Sequence, residues 1–158
     1  MEKISFRSAS ADDCGKILFF IRELASYEKM SDEVVATEEL LREWLFDKQI
    51  AEVLFVCEYG REAGFALFFH NYSTFLGRAG IYLEDLFVLP EYRGKGYGKA
   101  VLKKLAEIAV ERGCGRLEWS CLDWNRPSID FYLSLGAVPL EDWTVYRITG
   151  DTLKKLAE

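Results

Sequence analysis

Three glycines spaced two apart, Gly94-Lys95-Gly96-Tyr97-Gly98, stand directly before a strongly periodic apolar helix pattern and shortly after a strand pattern. No other segment restricts the fold as tightly. A glycine has no Cβ, so it permits positive φ and close approach of the backbone to a ligand. A helix that begins at such a loop presents unpaired N–H groups and the positive end of its dipole. Strand, glycine loop and helix together form an anion cradle suited to a pyrophosphate, and Arg93 and Lys95 add positive charge beside it. A plain turn does not require three alternating glycines next to an arginine.

Two familiar nucleotide loops do not fit. A Walker loop needs a glycine five residues before a Gly-Lys-Ser/Thr triplet. Here Gly98-Lys99 is followed by Ala100, and the upstream position is Arg93, so no hydroxyl is offered to a magnesium ion. The dinucleotide fingerprint G-x-G-x-x-G fails at its last position, which is Lys99. It also opens straight from its strand, whereas five residues (89–93) intervene here.

The rest of the chain reads as one domain, residues 1–158, built around one sheet. Residues 4–7 form a strand. Ser10 and Asp12 start a helix whose apolar residues Ile17, Leu18, Ile21, Leu24 and Ala25 recur at helical spacing to about Tyr27. Thr37 caps a second helix with Glu38 and Glu39 in its first turn. Strands follow at 53–59, 63–72 and 80–89, with Gly60-Arg61 turning the first pair. The helix after the glycine loop carries Val101, Leu102, Leu105, Ala106, Ile108 and Ala109 and stops at Gly113. A strand at 117–122 precedes a helix capped by Asn125, with Pro127 in its first turn and Gly136 at its end. A last strand is expected at 144–148 and a terminal helix at 151–156. This order is a mixed α/β or α+β domain.

Composition narrows the function. The net charge is −6, opposite to what nucleic-acid binding calls for; the acidic excess suits either plain solubility or a cationic small-molecule partner. Half the residues are hydrophobic and 15% aromatic, enough to build a core. No apolar run reaches the roughly 18 residues of a membrane span, and the first residues lack a signal-peptide pattern. The four cysteines, Cys14, Cys57, Cys114 and Cys121, match no zinc spacing and read as reduced buried thiols of a cytoplasmic protein. No metal site is expected. The sole histidine, His70, lies in a Phe-rich strand and reads as structural; no G-x-S-x-G elbow accompanies it, and Cys121 has no identifiable partner base.

Residues 93–98, Arg-Gly-Lys-Gly-Tyr-Gly, resemble the R/Q-x-x-G-x-G/A acetyl-CoA loop of the GNAT superfamily of N-acetyltransferases. The resemblance extends along essentially the whole chain and is nearest to the diamine (spermidine/spermine) and thialysine branch. It is carried by Ala25-Ser26-Tyr27-Glu28, by Tyr82-Leu83-Glu84-Asp85-Leu86-Phe87-Val88, by residues 90–98, and by Asp123-Trp124-Asn125 through Phe131-Tyr132 to Gly136-Ala137. It implies a GNAT fold, a mixed and mostly antiparallel sheet flanked by helices. It implies acetyl-CoA as co-substrate, a small-molecule amine acceptor, no metal, and a homodimer. Main-chain groups near Leu86, Phe87 and Val88 are then expected to bind the pantetheine arm at a splay between two strands. Residues Arg93, Gly94, Lys95, Gly96, Tyr97, Gly98 and Lys99 would hold the pyrophosphate, and Asn125 and Ser128 would contact the cofactor. Tyr132 matches the tyrosine beside the CoA sulfur. Tyr27, Glu28 and Ser73 match acceptor-site positions.

The chemistry needs three things: an amine that loses a proton, a held oxyanion and a stabilised leaving thiolate. A backbone N–H near Val88 can serve as oxyanion donor. Tyr132 can hydrogen-bond or protonate the sulfur; with ordinary pKa values of about 10 for tyrosine and about 8.5 for a thiol, full transfer comes late. Glu84 is the candidate that orients the amine and passes its proton through water, since a carboxylate alone is too weak a base for an alkylammonium. Strand alternation places Asp85 on the opposite side from Glu84. A carboxylate and a phenol, Glu28 and Tyr27, can grip an ammonium by charge and by cation–π attraction. In the stretch 71–78, polyamine-preferring members carry an acidic residue and a Trp where this chain has Ser73 and Phe75. That favours a thialysine- or lysine-like amine over spermidine. A protein or peptide N-acetyltransferase, and an acyl-CoA-binding module without turnover, are the alternatives; the Glu28 pocket argues against the first, the joint presence of Glu84 and Tyr132 against the second.

Overall fold

Apolar residues in cross-strand rows make the core, and the rows exist because the strands are in register. The computed structural model describes residues 2–158, which fall into two compact units divided after Ser120. In the first, strands β1 (Ile4–Ser8), β2 (Glu52–Glu58), β3 (Arg61–Ser73), β4 (Arg78–Val88) and β5 (Leu117–Trp119) form one sheet in that order. The first four are antiparallel to their neighbours and β5 runs parallel to β4. This is the mixed, mostly antiparallel sheet flanked by helices that the sequence leads one to expect.

Phe55, Phe65 and Phe87 lie directly opposite one another on β2, β3 and β4. Helix α1 (Cys14–Tyr27) covers that row with Ile17, Leu18 and Phe20. Phe20 stacks on Phe65 with ring centroids 5.3 Å apart and meets Phe55 at 5.9 Å. Each such phenylalanine contributes roughly 2–3 kcal/mol through burial. Ser10 N–H donates to Asp13 Oδ2 at 2.8 Å just before α1, and Arg7 holds the same carboxylate in a fork at 2.9 and 3.1 Å. Thr37 caps the short helix α2 (Glu38–Leu41) by accepting the Leu40 N–H at 3.2 Å, and the chain continues as a π-helical turn, Arg42–Asp47.

Helix α3 (Tyr97–Glu111) packs against β4 and β5. Its buried residues, Tyr97, Val101, Leu102, Leu105 and Ala109, recur at helical spacing along one stripe. Gly113, at φ 73°, follows the helix end.

In the second unit, Asn125 caps α4 (Arg126–Ser134) by accepting the Ser128 N–H at 3.4 Å, with Pro127 in the first turn. Gly136 follows at φ 89°, a left-handed position that ends the helix. The terminal helix α5 is Gly150–Leu156. Two expectations need correction. The strand foreseen at 117–122 is only Leu117–Trp119, and no strand forms at 144–148. A strand exists only within a ladder, and the second unit holds no other strand to pair with this segment.

Candidate active site

A bulge in the β3–β4 ladder decides where the site's carboxylates point. Leu67 pairs with Asp85 and Phe68 with Leu83, so Glu84 stands opposite no residue. Simple alternation therefore breaks at this point. Before the bulge, Tyr82 pairs with Phe69 and their rings approach to 5.4 Å, which places Tyr82, and Glu84 two residues on, on the face of Leu67 and Phe69. After the bulge, Asp85 pairs with Leu67 and Phe87 with Phe65, again on that face, the one covered by α1. The expectation that Asp85 points away from Glu84 is thus overturned: one extra residue puts both carboxylates on the same side of the sheet.

The end of α1 meets them there. Tyr27 is the last residue of α1, with its ring 6.2 Å from that of Phe87, and Glu28 follows as its C-cap. Burial pushes the Asp85 carboxyl up to about 7, and the negative charges of Glu84 and Glu28 push it further the same way. Burial also raises Glu28 above the usual carboxylate range. Glu84 itself is exposed. Tyr27, Glu28, Glu84 and Asp85 thus form an acidic, aromatic neighbourhood suited to a cationic ligand. Tyr27 already faces a cation of the chain: the Arg93 guanidinium lies 5.1 Å from its ring centroid and 5.0 Å from that of Phe87.

Ser73 is elsewhere. It pairs with Arg78 at the far end of the hairpin, six residues along β4 from Glu84, a distance of roughly 20 Å at strand rise. It is buried, and its Oγ accepts the Leu76 N–H at 3.1 Å, closing the turn.

Beyond the bulge, β4 loses its second neighbour. Pairing with β5 stops at Leu83–Trp119, so Glu84, Asp85, Leu86, Phe87 and Val88 have β3 on one side and no strand on the other. The β4 edge beside Leu86 to Val88 is therefore open within this unit. Close approach of β3 supports it from behind: a Cβ on Gly64 would meet the Phe87 carbonyl oxygen at 2.5 Å and the Val88 Cα at 3.1 Å. The requirement for glycine at 64 is a site feature that the sequence signalled only as an isolated glycine within a strand pattern.

The glycine loop joins this strand to α3. Gly94 and Gly96 adopt φ 76° and 85°, which explains glycine at both. Gly98 has no left-handed backbone, and beyond its own chain neighbours and helix backbone no atom lies within 4 Å of where a Cβ would sit. The packing of the protein itself gives no reason for glycine at 98. The first turn has no side-chain cap, and the first backbone bond there runs from Ala100 N–H to Gly96 C=O. Its leading amides are therefore available to an anion. These features fit the diphosphate of acetyl-CoA. The expected side-chain charges are differently employed. Arg93 Nε donates to the Val88 carbonyl at 2.9 Å, Lys95 pairs with Glu58 at 3.0 Å, and the Tyr97 side chain is buried in the core; only Lys99 of the basic residues here makes none of these contacts.

The remaining expected residues lie in the second unit. Asn125 is buried as the helix cap, Ser128 is half-buried in the first turn of α4, and Tyr132 is half-buried on the same helix, its ring 5.6 Å from that of Phe131. Among the described residues no group of three or more His, Cys, Asp or Glu side chains is placed to hold a metal ion, and no helix is long and apolar enough to cross a membrane.

Comparison with known proteins agrees with this geometry. The family model described as the Acetyltransferase (GNAT) family matches residues 18–137. The thialysine N-epsilon-acetyltransferase of Bos taurus is 42% identical, covering 99% of both chains. That of Caenorhabditis elegans is 36% identical, covering 100% of this chain and 99% of its own. An integron cassette protein from the mobile metagenome of V. cholerae superposes with a TM-score of 0.84 at 28% identity, over 100% of this chain and 99% of its own. The chain belongs to the GNAT acetyltransferase family. It is an acetyl-CoA-dependent N-acetyltransferase acting on a small amine.

Proposed function

We propose that this enzyme acetylates the distal primary amine of a thialysine- or lysine-like amino acid by direct transfer. The observation that carries the reading is the bulge, which gathers Glu84 and Asp85 on the face where Tyr27 and Glu28 end α1. Such a cluster suits one small cation. The full-length similarity to thialysine N-epsilon-acetyltransferases supports the same acceptor.

Acetyl-CoA supplies the acetyl group as a thioester. The amides opening α3, with Lys99, bind its diphosphate, while the open edge of β4 from Leu86 to Val88 receives the pantetheine arm and offers an N–H to the carbonyl oxygen. Asp85 and Glu28 draw the acceptor's ammonium into the site. Glu84, exposed, orients the amine and passes the departing proton to water and on to solvent. The amine nitrogen forms the new C–N bond as the C–S bond breaks. Tyr132 hydrogen-bonds the departing thiolate and supplies its proton late, to be reprotonated from water. Asn125 and Ser128 contribute through the start of α4.

We further propose that residues 1–158 are a single N-acetyltransferase domain, since the family match runs from 18 to 137, and that the enzyme is a homodimer. A second protomer reconciles Ser73 with an acceptor role that roughly 20 Å of strand denies it within one chain. Four free thiols suit the cytoplasm.

The test is CoA thiol release measured over thialysine, lysine, ornithine, putrescine, spermidine and short peptides. Thialysine or a lysine analogue should show the highest kcat/KM, and Tyr132→Phe should lower kcat roughly a hundredfold or more with little change in acceptor KM. A spermidine KM well below that of thialysine would overturn the acceptor assignment. Turnover confined to peptides would overturn the small-molecule reading.

A further inference from the structure

The glycine loop is held from outside the motif by a residue that belongs to none of it. Glu58 is the last residue of β2, paired with Ile4 on one side and Arg61 on the other. One oxygen of its carboxylate, Oε1, accepts from Tyr97 Oη at 2.5 Å and from Lys95 Nζ at 3.0 Å. Tyr97 opens α3 and is only 1% exposed, so its hydroxyl has no recourse to solvent and depends on this acceptor. Lys95 also lies over the ring of Tyr92, 5.6 Å from its centroid. At the loop's other end Arg93 is tied to β4 through the Val88 carbonyl. Between the ties stand Gly94 and Gly96, both in left-handed conformations that a glycine chain leaves readily.

From this arrangement we infer that Glu58 is a positioning residue for acetyl-CoA: it fixes the glycine loop in its ligand-ready form and reserves Lys95 for that task. The inference rests on the reading that the loop holds the diphosphate. A three-glycine loop loses much backbone freedom when a ligand orders it, and ordering it beforehand spares the ligand that cost. Two side-chain bonds converging on one carboxylate, placed on either side of Gly96, do this. Lys95, committed to Glu58, then acts through the loop's shape and contributes little direct phosphate attraction.

The experiment is CoA titration by calorimetry, with steady-state kinetics, for the wild type, Glu58→Gln, Glu58→Ala and Tyr97→Phe. Glu58→Ala should weaken CoA binding about tenfold, the scale of one lost charge-assisted hydrogen bond. Glu58→Gln keeps an acceptor for Tyr97 but loses the charge facing Lys95, and should fall between the wild type and Ala. The acetyl-CoA KM should rise in parallel, while the amine KM and kcat at saturating acetyl-CoA stay within about twofold. Amide exchange at 94–99 should quicken in Glu58→Ala without quickening along β3. Unchanged CoA affinity in a folded Glu58→Gln and Glu58→Ala would overturn the inference, as would equal losses in both substrates' KM. A wild type that binds no CoA would instead overturn the reading of the loop itself.

Discussion

Asp85 is the residue whose energetics follow most directly from its position. It is largely buried, no cation pairs with it among the described residues, and two other carboxylates face it, Glu84 from its own strand and Glu28 from the end of α1. Its carboxyl titrates near 7 in the fold against 3.8 for an ordinary aspartate. A folded-state value above the unfolded one favours the protonated form. The stability contributed is therefore complete below about pH 4 and is lost as the pH rises through 7. Asp85→Asn should remove this dependence and leave the variant more stable than the wild type at pH 8 by roughly 2–4 kcal/mol, read from urea unfolding between pH 5 and 8. A bound ammonium reverses the balance by favouring the ionised form, so the same substitution should raise the acceptor KM most strongly above pH 7. A variant no more stable than the wild type at pH 8 would contradict the burial argument. The bulge that produces this situation was not legible in the sequence: Glu84-Asp85 inside an apolar strand pattern reads as plain alternation, and nothing local reveals that a partner strand skips one residue.

At the scale of the element, α3 and its loop show how a motif's residues divide their labour. The loop and the helix stripe were both legible, because left-handed glycines and a 3.6-residue apolar period are local properties. The partners of the loop were not. Lys95 and Arg93 read as ligand cations from their position in the chain, yet Lys95 is paired with Glu58, thirty-seven positions away, and Arg93 with the Val88 carbonyl and the rings of Tyr27 and Phe87. Only the fold brings those groups together. Gly98 separates ligand from protein demands cleanly. With an ordinary backbone and no neighbour within 4 Å, Gly98→Ala should cost the free protein nothing and raise its melting temperature slightly, because alanine is the better helix former by up to about 1 kcal/mol. It should raise the acetyl-CoA KM about tenfold by denying the diphosphate its approach. Unchanged acetyl-CoA affinity in this variant would contradict the cradle.

At the scale of the whole molecule, the order of most elements was legible from periodicity and turn residues, and so was a single mixed sheet; the parallel pairing of β5 with β4 was not, because nothing local in a strand states its direction relative to a neighbour. The segment 144–148 was not, because alternation states that a strand can form and not whether a partner strand is at hand. Within the second unit that segment has none, and Val145 and Tyr146 are 85% and 90% exposed. The proposed homodimer bears on this same scale. Sedimentation at micromolar concentration should show a species of two chains, and Ser73→Asp, which places a carboxylate at the hairpin, should shift acceptor preference toward spermidine if a second protomer brings that hairpin to the site. A monomer with full activity would contradict the dimer.

Direct acetyl transfer to the distal amine of a small acceptor leaves a product that tandem mass spectrometry of a reaction with acetyl-CoA and thialysine reads out. One acetyl group is expected on the distal nitrogen and none on Cys14, Cys57, Cys114 or Cys121 of the enzyme quenched during turnover. Acetylation of the α-amine, or an acetylated cysteine that passes its acetyl group to added thialysine, would contradict it.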